Sequence, residues 1–203
     1  MRIYLIRHGK TPGNQLNRYI GTTDEPVLKE ELERLKKQNY PKAERLFVSP
    51  LLRCRQTAAC IYPGQEQQVI QNLRECDFGR FENKNWKEMT GDAEYQAWVD
   101  SNATLPFPGG EDPQEFRDRA CQGFLEGLKF CVEGTESAAF VVHGGIIMAV
   151  LERFADRKKA FYEWHVGNGE GYEAEADPAA WIDVSGQQPV LRAVHPIHMT
   201  GQQ

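Results

Sequence analysis

Four short apolar runs, each followed within a few residues by a charged or imidazole side chain, constrain this chain more than any other feature. Arg2 to Ile6 leads into Arg7-His8-Gly9, and Arg45 to Val48 leads through Ser49-Pro50 to Arg53. Gln68 to Leu73 leads to Arg74-Glu75, and Ala138 to Val142 to His143-Gly144-Gly145. Runs of this length and content read as buried strands. Helical spacing lies between them. Glu30 to Gln38 puts Leu32 and Leu35 on one face, and Leu52 to Tyr62 offers Ala58, Ala59 and Ile61 for packing. Asp112 to Glu133 carries a stripe of Phe116, Ala120, Phe124, Leu128 and Cys131, and Ile146 to Phe154 reads as a further helix. Gly171 to Ala176 and Val190 to Val194 read as edge strands, and residues 158–165 as helical.

Strands alternating with helices predict an α/β fold with an open, mostly parallel sheet and helices on both faces. Ligands of such sheets bind beyond the carboxyl ends of the strands. Arg7, His8, Arg53, Glu75 and His143 are therefore expected on one rim. The length of 203 residues fits a single domain over 1–203. Residues 78–110 differ in texture. The aromatics Phe81, Trp86, Tyr95 and Trp98 sit among short helical pieces that end at Leu105-Pro106-Phe107-Pro108-Gly109-Gly110, so this stretch reads as a lid-like insertion.

Charge narrows the partners. Lys and Arg number 24 against 29 Asp and Glu, a net −5, which argues against a general nucleic-acid binder but leaves room for one cationic pocket. The uncharged stretch from Ser137 to Leu151 contains His143-Gly144-Gly145 and makes a poor membrane span. The apolar run at the N-terminus is too short for a signal sequence. Five cysteines without a C-x-x-C pattern read as reduced thiols, and so as a cytoplasmic protein.

Two arginines, two histidines and a carboxylate suit a phosphate monoester. Its near-dianionic charge at neutral pH matches two guanidiniums, whose planar forks donate to its oxygens. Neighbouring arginines disfavour imidazolium and keep an attacking nitrogen free. Glu75 is placed to protonate the departing ester oxygen and then to deprotonate water. With the transition-state charge met by arginines and the second histidine, this chemistry requires no metal and no cofactor. Taken singly, each of these residues also has a plain structural reading, as a surface cation, a capping carboxylate or a satisfied histidine; their joint occurrence carries the chemical one.

The motifs that hold these residues are also familiar. Arg7-His8-Gly9-Lys10-Thr11 with Asn14, then Ser49-Pro50-Leu51-Leu52-Arg53, Leu73-Arg74-Glu75 and His143-Gly144-Gly145 resemble, in order, the four signatures of the histidine phosphatase superfamily. The resemblance implies a phosphoglycerate mutase-like three-layer α/β/α sandwich. It implies His8 as the phosphorylated nucleophile, Arg7, Arg53 and His143 as the phosphate pocket, Asn14 as a lesser phosphate ligand and Glu75 as the proton donor. The partner it implies is a small-molecule phosphomonoester. Lys10, Glu82-Asn83 and Glu111-Asp112 depart from the usual family pattern without touching the five-residue set.

The interval from Glu75 to His143 lacks the adjacent arginines that hold the substrate carboxylate in the resembling mutases, so hydrolysis is expected over phosphoryl transfer. Phe78 to Glu82, Tyr95 to Trp98 and Leu105 to Glu111 resemble the α-ribazole phosphatase branch, whose substrate is a 5′-phosphate. The alternatives are mutase-type transfer and a phosphate-binding interaction module without turnover. Elsewhere, Trp86, Trp98 and Trp164 are expected in core or lid packing. Gly167 to Gly171 reads as a turn before a strand, and His195 and His198 as tail residues without further metal ligands.

Overall fold

A computed structural model describes residues 1–131, 134–177 and 190–198. Six strands form one sheet, β1 (Arg2–Arg7), β2 (Arg45–Val48), β3 (Gln68–Val69), β4 (Ser137–Val142), β5 (Gly171–Glu175) and β6 (Arg192–Pro196), in the order β3-β2-β4-β1-β5-β6. The first four are parallel, β5 runs antiparallel to β1, and β6 antiparallel to β5. The α/β expectation holds. β5 is an interior strand, however, because β6 pairs along its outer side, so only one of the two expected edge strands is an edge.

Side chains alternate across the sheet as strand geometry demands. Ile3 and Leu5 of β1, with Ala138, Phe140 and Val142 of β4, share a core with helices α5 (Pro113–Leu128) and α6 (Gly144–Phe154). Tyr4, Ile6, Ala139 and Val141 face the other way, onto Cys54 and Ala58 of α3 (Leu52–Ile61). Each fully buried Leu, Ile or Phe contributes roughly 1.5–3 kcal/mol. Ala59, expected in the packing, is exposed; Cys54 and Ala58 are the buried α3 positions facing the sheet, and Ile61 packs half-buried against the same cluster.

Helix boundaries follow local chemistry. Asp112 caps α5 by accepting from the backbone N–H groups of Gln114 and Glu115, and Pro113 takes the first turn, where its missing donor costs nothing. This helix ends at Leu128, short of the expected Glu133, which lies outside the described residues. The part of the expected tail beyond His198 lies outside them too. Two shorter helices precede the sheet's second strand, α1 (Pro12–Gln15) and α2 (Lys29–Lys36), and α4 (Ala93–Asp100) lies in the 78–110 stretch.

The third strand is shorter than its sequence suggests. β3 pairs only through Gln68 and Val69, and the chain then turns through a 3-10 segment, Gln71–Leu73, that buries Leu73 and carries Glu75 away from the strand. In residues 78–110, Phe81, Trp98 and Phe107 pack edge-on and tilted against each other at 5.1 to 6.0 Å between ring centres. Trp86 does not join them; it is 58% exposed.

Candidate active site

Sheet register builds the site. Arg7 lies level with Val142, and Ile6 with Val141, which in turn pairs with Val48. The next residues, His8, His143 and Ser49, therefore leave the sheet at the same edge. His8 and His143 meet ring to ring, 5.2 Å between centroids and nearly edge-on. Both are buried, at 4% and 0% exposure, and Arg53 in the first turns of α3 is buried beside them.

Hydrogen bonds fix the tautomers. His8 Nδ1 lies 2.7 Å from the carbonyl of Gly9, which can only accept, so Nδ1 carries the proton and Nε2 keeps a free lone pair. Arg53 Nε donates to His143 Nδ1 at 3.3 Å, which leaves the His143 proton on Nε2, facing Ser49 Oγ at 2.7 Å. Burial first, then Arg53, holds both imidazoles well below the ordinary histidine pKa; Arg7 adds to the effect on each. The pair is neutral at physiological pH.

The two arginines differ. Arg53 donates to the carbonyls of Ile20, Gly21 and Thr23 as well as to His143, so most of its fork ties the loop before α2 to the sheet edge. The expectation of a free planar fork is met less by Arg53 than by Arg7. Arg7 Nη1 donates to the Val166 carbonyl at 2.7 Å, but its buried Nε has no partner among the described residues. A buried guanidinium N–H without an acceptor is costly unless an anion completes it.

Glu75 opens onto the same space. Its Oε2 accepts from the Gly145 amide at 3.3 Å and its Oε1 from its own neighbour Cys76 at 3.1 Å. Burial raises its pKa above the usual carboxylate value, against the pull of those amides and of Arg53 and Arg7. Gly145 permits the approach, since a Cβ there would lie 2.5 Å from Glu75 Oε1 and 2.8 Å from Phe116 Cζ. The missing side chain of Gly9 makes room for Leu35 of α2.

A cavity of about 260 Å3 is lined by Arg7, Glu75, Gly144 and Gly145 at one end. Aromatic rings wall much of the rest, among them Phe78, Trp98 and Phe107 of the 78–110 stretch and Phe116, Phe161 and Tyr162, together with Arg117, Met148 and His165. His8, Arg53 and His143 adjoin this lining without being part of it. The five residues are thus brought together, two on the cavity wall and three beside it. Asn14 joins them through α1, with its Oδ1 accepting from Thr11 N and Asn168 Nδ2.

Residues beyond the five support the site. Ser49 partners His143, and Thr57 Oγ1 accepts from the Gly9 amide at 2.9 Å. Arg119 donates to the carbonyls of Asn72, Arg74 and Glu75 and pairs with Glu111 at 2.7 Å, clamping the loop that presents Glu75. Glu82 accepts from the amides of Gly21 and Thr23, and Asn83 beside it takes the left-handed φ of +59° that a glycine would adopt freely. Among the described residues no group of three or more His, Cys, Asp or Glu is arranged to hold a metal ion.

This open, mostly parallel sheet with an imidazole, guanidinium and carboxyl cluster at its carboxyl edge defines a class, and the comparisons agree with it. The profile of the histidine phosphatase superfamily (branch 1) matches residues 3–185, and the chain belongs to that superfamily. It is 27% identical over 173 residues to the adenosylcobalamin/alpha-ribazole phosphatase of Salmonella typhimurium, covering 81% of this chain and 84% of that one. Its fold is similar to the alpha-ribazole phosphatase of Shigella flexneri, with TM-score 0.75, 23% identity and 95% of each chain covered. It is also similar to a phosphoglycerate mutase from Thermus thermophilus, with TM-score 0.65, 29% identity, and 86% and 93% covered.

Proposed function

We propose that this protein is a phosphomonoesterase that hydrolyses a small phosphorylated metabolite through a phosphohistidine on His8. The observation that carries the reading is the unpartnered Nε of Arg7 at one end of a largely aromatic cavity, beside a His8 whose Nε2 is unprotonated. The phosphate sits against Arg7, with Arg53 supplying the second positive charge, Asn14 a further donor and His143 the wall behind. Nε2 of His8 forms a bond to phosphorus as the ester P–O bond breaks, and Glu75 gives its proton to the departing oxygen. Glu75, now a carboxylate, takes a proton from water; the water oxygen bonds to phosphorus, the P–N bond breaks, and inorganic phosphate leaves. No step draws on a metal or a cofactor.

The lining favours a leaving group with a flat apolar body, which supports α-ribazole 5′-phosphate as the candidate substrate. Mutase-type transfer of a phosphoglycerate needs a second cation for the carboxylate. Arg117, the one other arginine on the cavity wall, already lies over the Phe161 ring at 4.5 Å and near Glu152 at 3.6 Å. In this reading residues 1–203 form one domain and 78–110 serve as its lid. The five free thiols support a cytoplasmic setting, and no helix among the described residues is long and apolar enough to cross a membrane.

Quenching in alkaline denaturant, where a phosphohistidine P–N bond survives, during turnover of a monoester labelled in its phosphoryl group tests the reading. Label is expected on His8 and absent from His8→Ala, with activity unchanged by EDTA. Full turnover by His8→Ala overturns it. A monoester panel read by free phosphate, beside an isomerisation assay with phosphoglycerate, decides between hydrolysis, transfer and binding without turnover.

A further inference from the structure

The turn at residues 167–170, which precedes β5, touches the phosphate end of the site from the opposite half of the chain. Gly169 N donates to the carbonyls of both Arg7 and His8 at 3.1 Å. Asn168 Nδ2 donates to the His8 carbonyl at 3.1 Å and to Asn14 Oδ1 at 3.1 Å. The turn is itself held from outside, by Arg34 on the Asn168 carbonyl and by the Tyr40 hydroxyl on the Gly169 carbonyl at 2.7 Å.

The orientation of both amides follows from what their neighbours can do. The backbone N–H of Thr11 only donates, so the Asn14 atom facing it at 3.3 Å is the oxygen. The His8 carbonyl only accepts, so the Asn168 atom facing it is the nitrogen. Asn14 Oδ1 then receives two donors, and its Nδ2 is the group left to donate elsewhere. Without Asn168, the Asn14 amide loses one of the two donors that fix its oxygen. The His8 carbonyl, by contrast, keeps the Gly169 N–H, so the contact with Asn14 is the one that only Asn168 makes.

We propose that Asn168 is a positioning residue that fixes the side-chain amide of Asn14 so that its N–H group donates to the bound phosphoryl oxygen. It acts through Asn14 and touches neither phosphorus nor the leaving group. The proposal rests on Asn14 being a phosphate ligand, and its test uses inorganic phosphate, whose binding needs no turnover. A failure of covalent catalysis on His8 would therefore leave the test standing.

Phosphate affinity is measured by calorimetry in the full-length protein, in Asn168→Ala, in Asn14→Ala and in the double variant. Loss of one charge-assisted hydrogen bond predicts about a tenfold weaker phosphate affinity for Asn168→Ala and under a twofold further change when it is added to Asn14→Ala. In turnover, KM rises by a similar factor while kcat changes less than about threefold. Asn168→Asp, nearly the same shape, sets an acceptor against two acceptors and is expected to weaken phosphate at least as much, which keeps the test alive if the alanine variant folds poorly. Equal losses in the presence and absence of Asn14, or wild-type phosphate affinity in Asn168→Asp, overturn the proposal.

Discussion

Arg53 and His143 are locked to each other in an orientation that sets the proton of the imidazole: Arg53 Nε donates to His143 Nδ1 at 3.3 Å, and the imidazole proton is turned to Ser49 instead of to the ligand space. Burial and the Arg53 charge hold His143 well below the ordinary histidine pKa, and the fixed positive charge at this edge of the sheet is that of Arg7 and Arg53. Ser49 is the acceptor on which this arrangement depends.

Ser49→Ala leaves the buried Nε2–H of His143 with only the Cys54 sulfur, 3.4 Å away, as a neighbour. Loss of a buried partner costs about 1–3 kcal/mol of stability, and the freed ring is expected to lower kcat/KM about tenfold. Denaturant unfolding and steady-state kinetics measure both. A variant with wild-type stability and turnover would show that Ser49 does not hold His143.

Acid should weaken the fold through the two histidines. An unfolded histidine titrates near 6.5, whereas His8 and His143 titrate well below that value in the fold. The stabilisation is fully present above the unfolded pKa. As pH falls below about 6.5 the unfolded chain takes up protons that the native chain refuses, and stability drops by up to about 1.4 kcal/mol per pH unit for each histidine. Unfolding free energies at pH 7.5 and 5.5 are expected to fall less steeply in His8→Ala than in the wild type. Equal slopes would count against a buried neutral His8. The acid limb of kcat/KM is likewise expected to lie below pH 6.5.

The opposite sign applies to Glu75. Its pKa is raised by burial, so the ionised form costs stability at pH values above the folded pKa, and that cost fades as pH falls toward the unfolded value near 4.5. Glu75→Gln keeps one acceptor, for the Gly145 amide, and turns an NH2 group toward the Cys76 N–H, a cost that does not change with pH. Its melting temperature relative to wild type is therefore expected to be higher at pH 8 than at pH 4, while kcat falls about 10²–10⁴-fold. A melting-temperature difference that stays the same at the two pH values would contradict this assignment.

Gly145→Ala places a methyl group 2.5 Å from Glu75 Oε1 and 2.8 Å from the Phe116 ring. The carboxyl is the softer neighbour and is expected to move. The result is a destabilisation of about 1–3 kcal/mol and a loss of kcat larger than the loss of phosphate affinity. Unchanged kcat would mean that the position of Glu75 is not critical.

Sequence pattern alone places β1, β2 and β4, because their apolar runs are short, strongly β-forming and bounded by polar residues. It also places four of the five central groups next to the strand or helix that presents them. Glu75 is on the right side of the sheet for a reason the pattern does not contain: Leu73 is drawn into the core by tertiary packing, which ends β3 early and turns the chain. Trp86 illustrates the same limit, since aromatic content does not say which ring the core accepts. Asn168, Ser49 and Arg119 act by long-range hydrogen bonds, and no local period records those.

Arg7 is pinned by the carbonyl of Val166, far beyond the last of the five groups in the chain. A polypeptide emerging from the ribosome would already carry both imidazoles, both guanidiniums and the acid while still lacking the clasp that sets Arg7. In the proposed function, competence therefore arrives late in synthesis, when residues 166–170 and the strand after them close against β1.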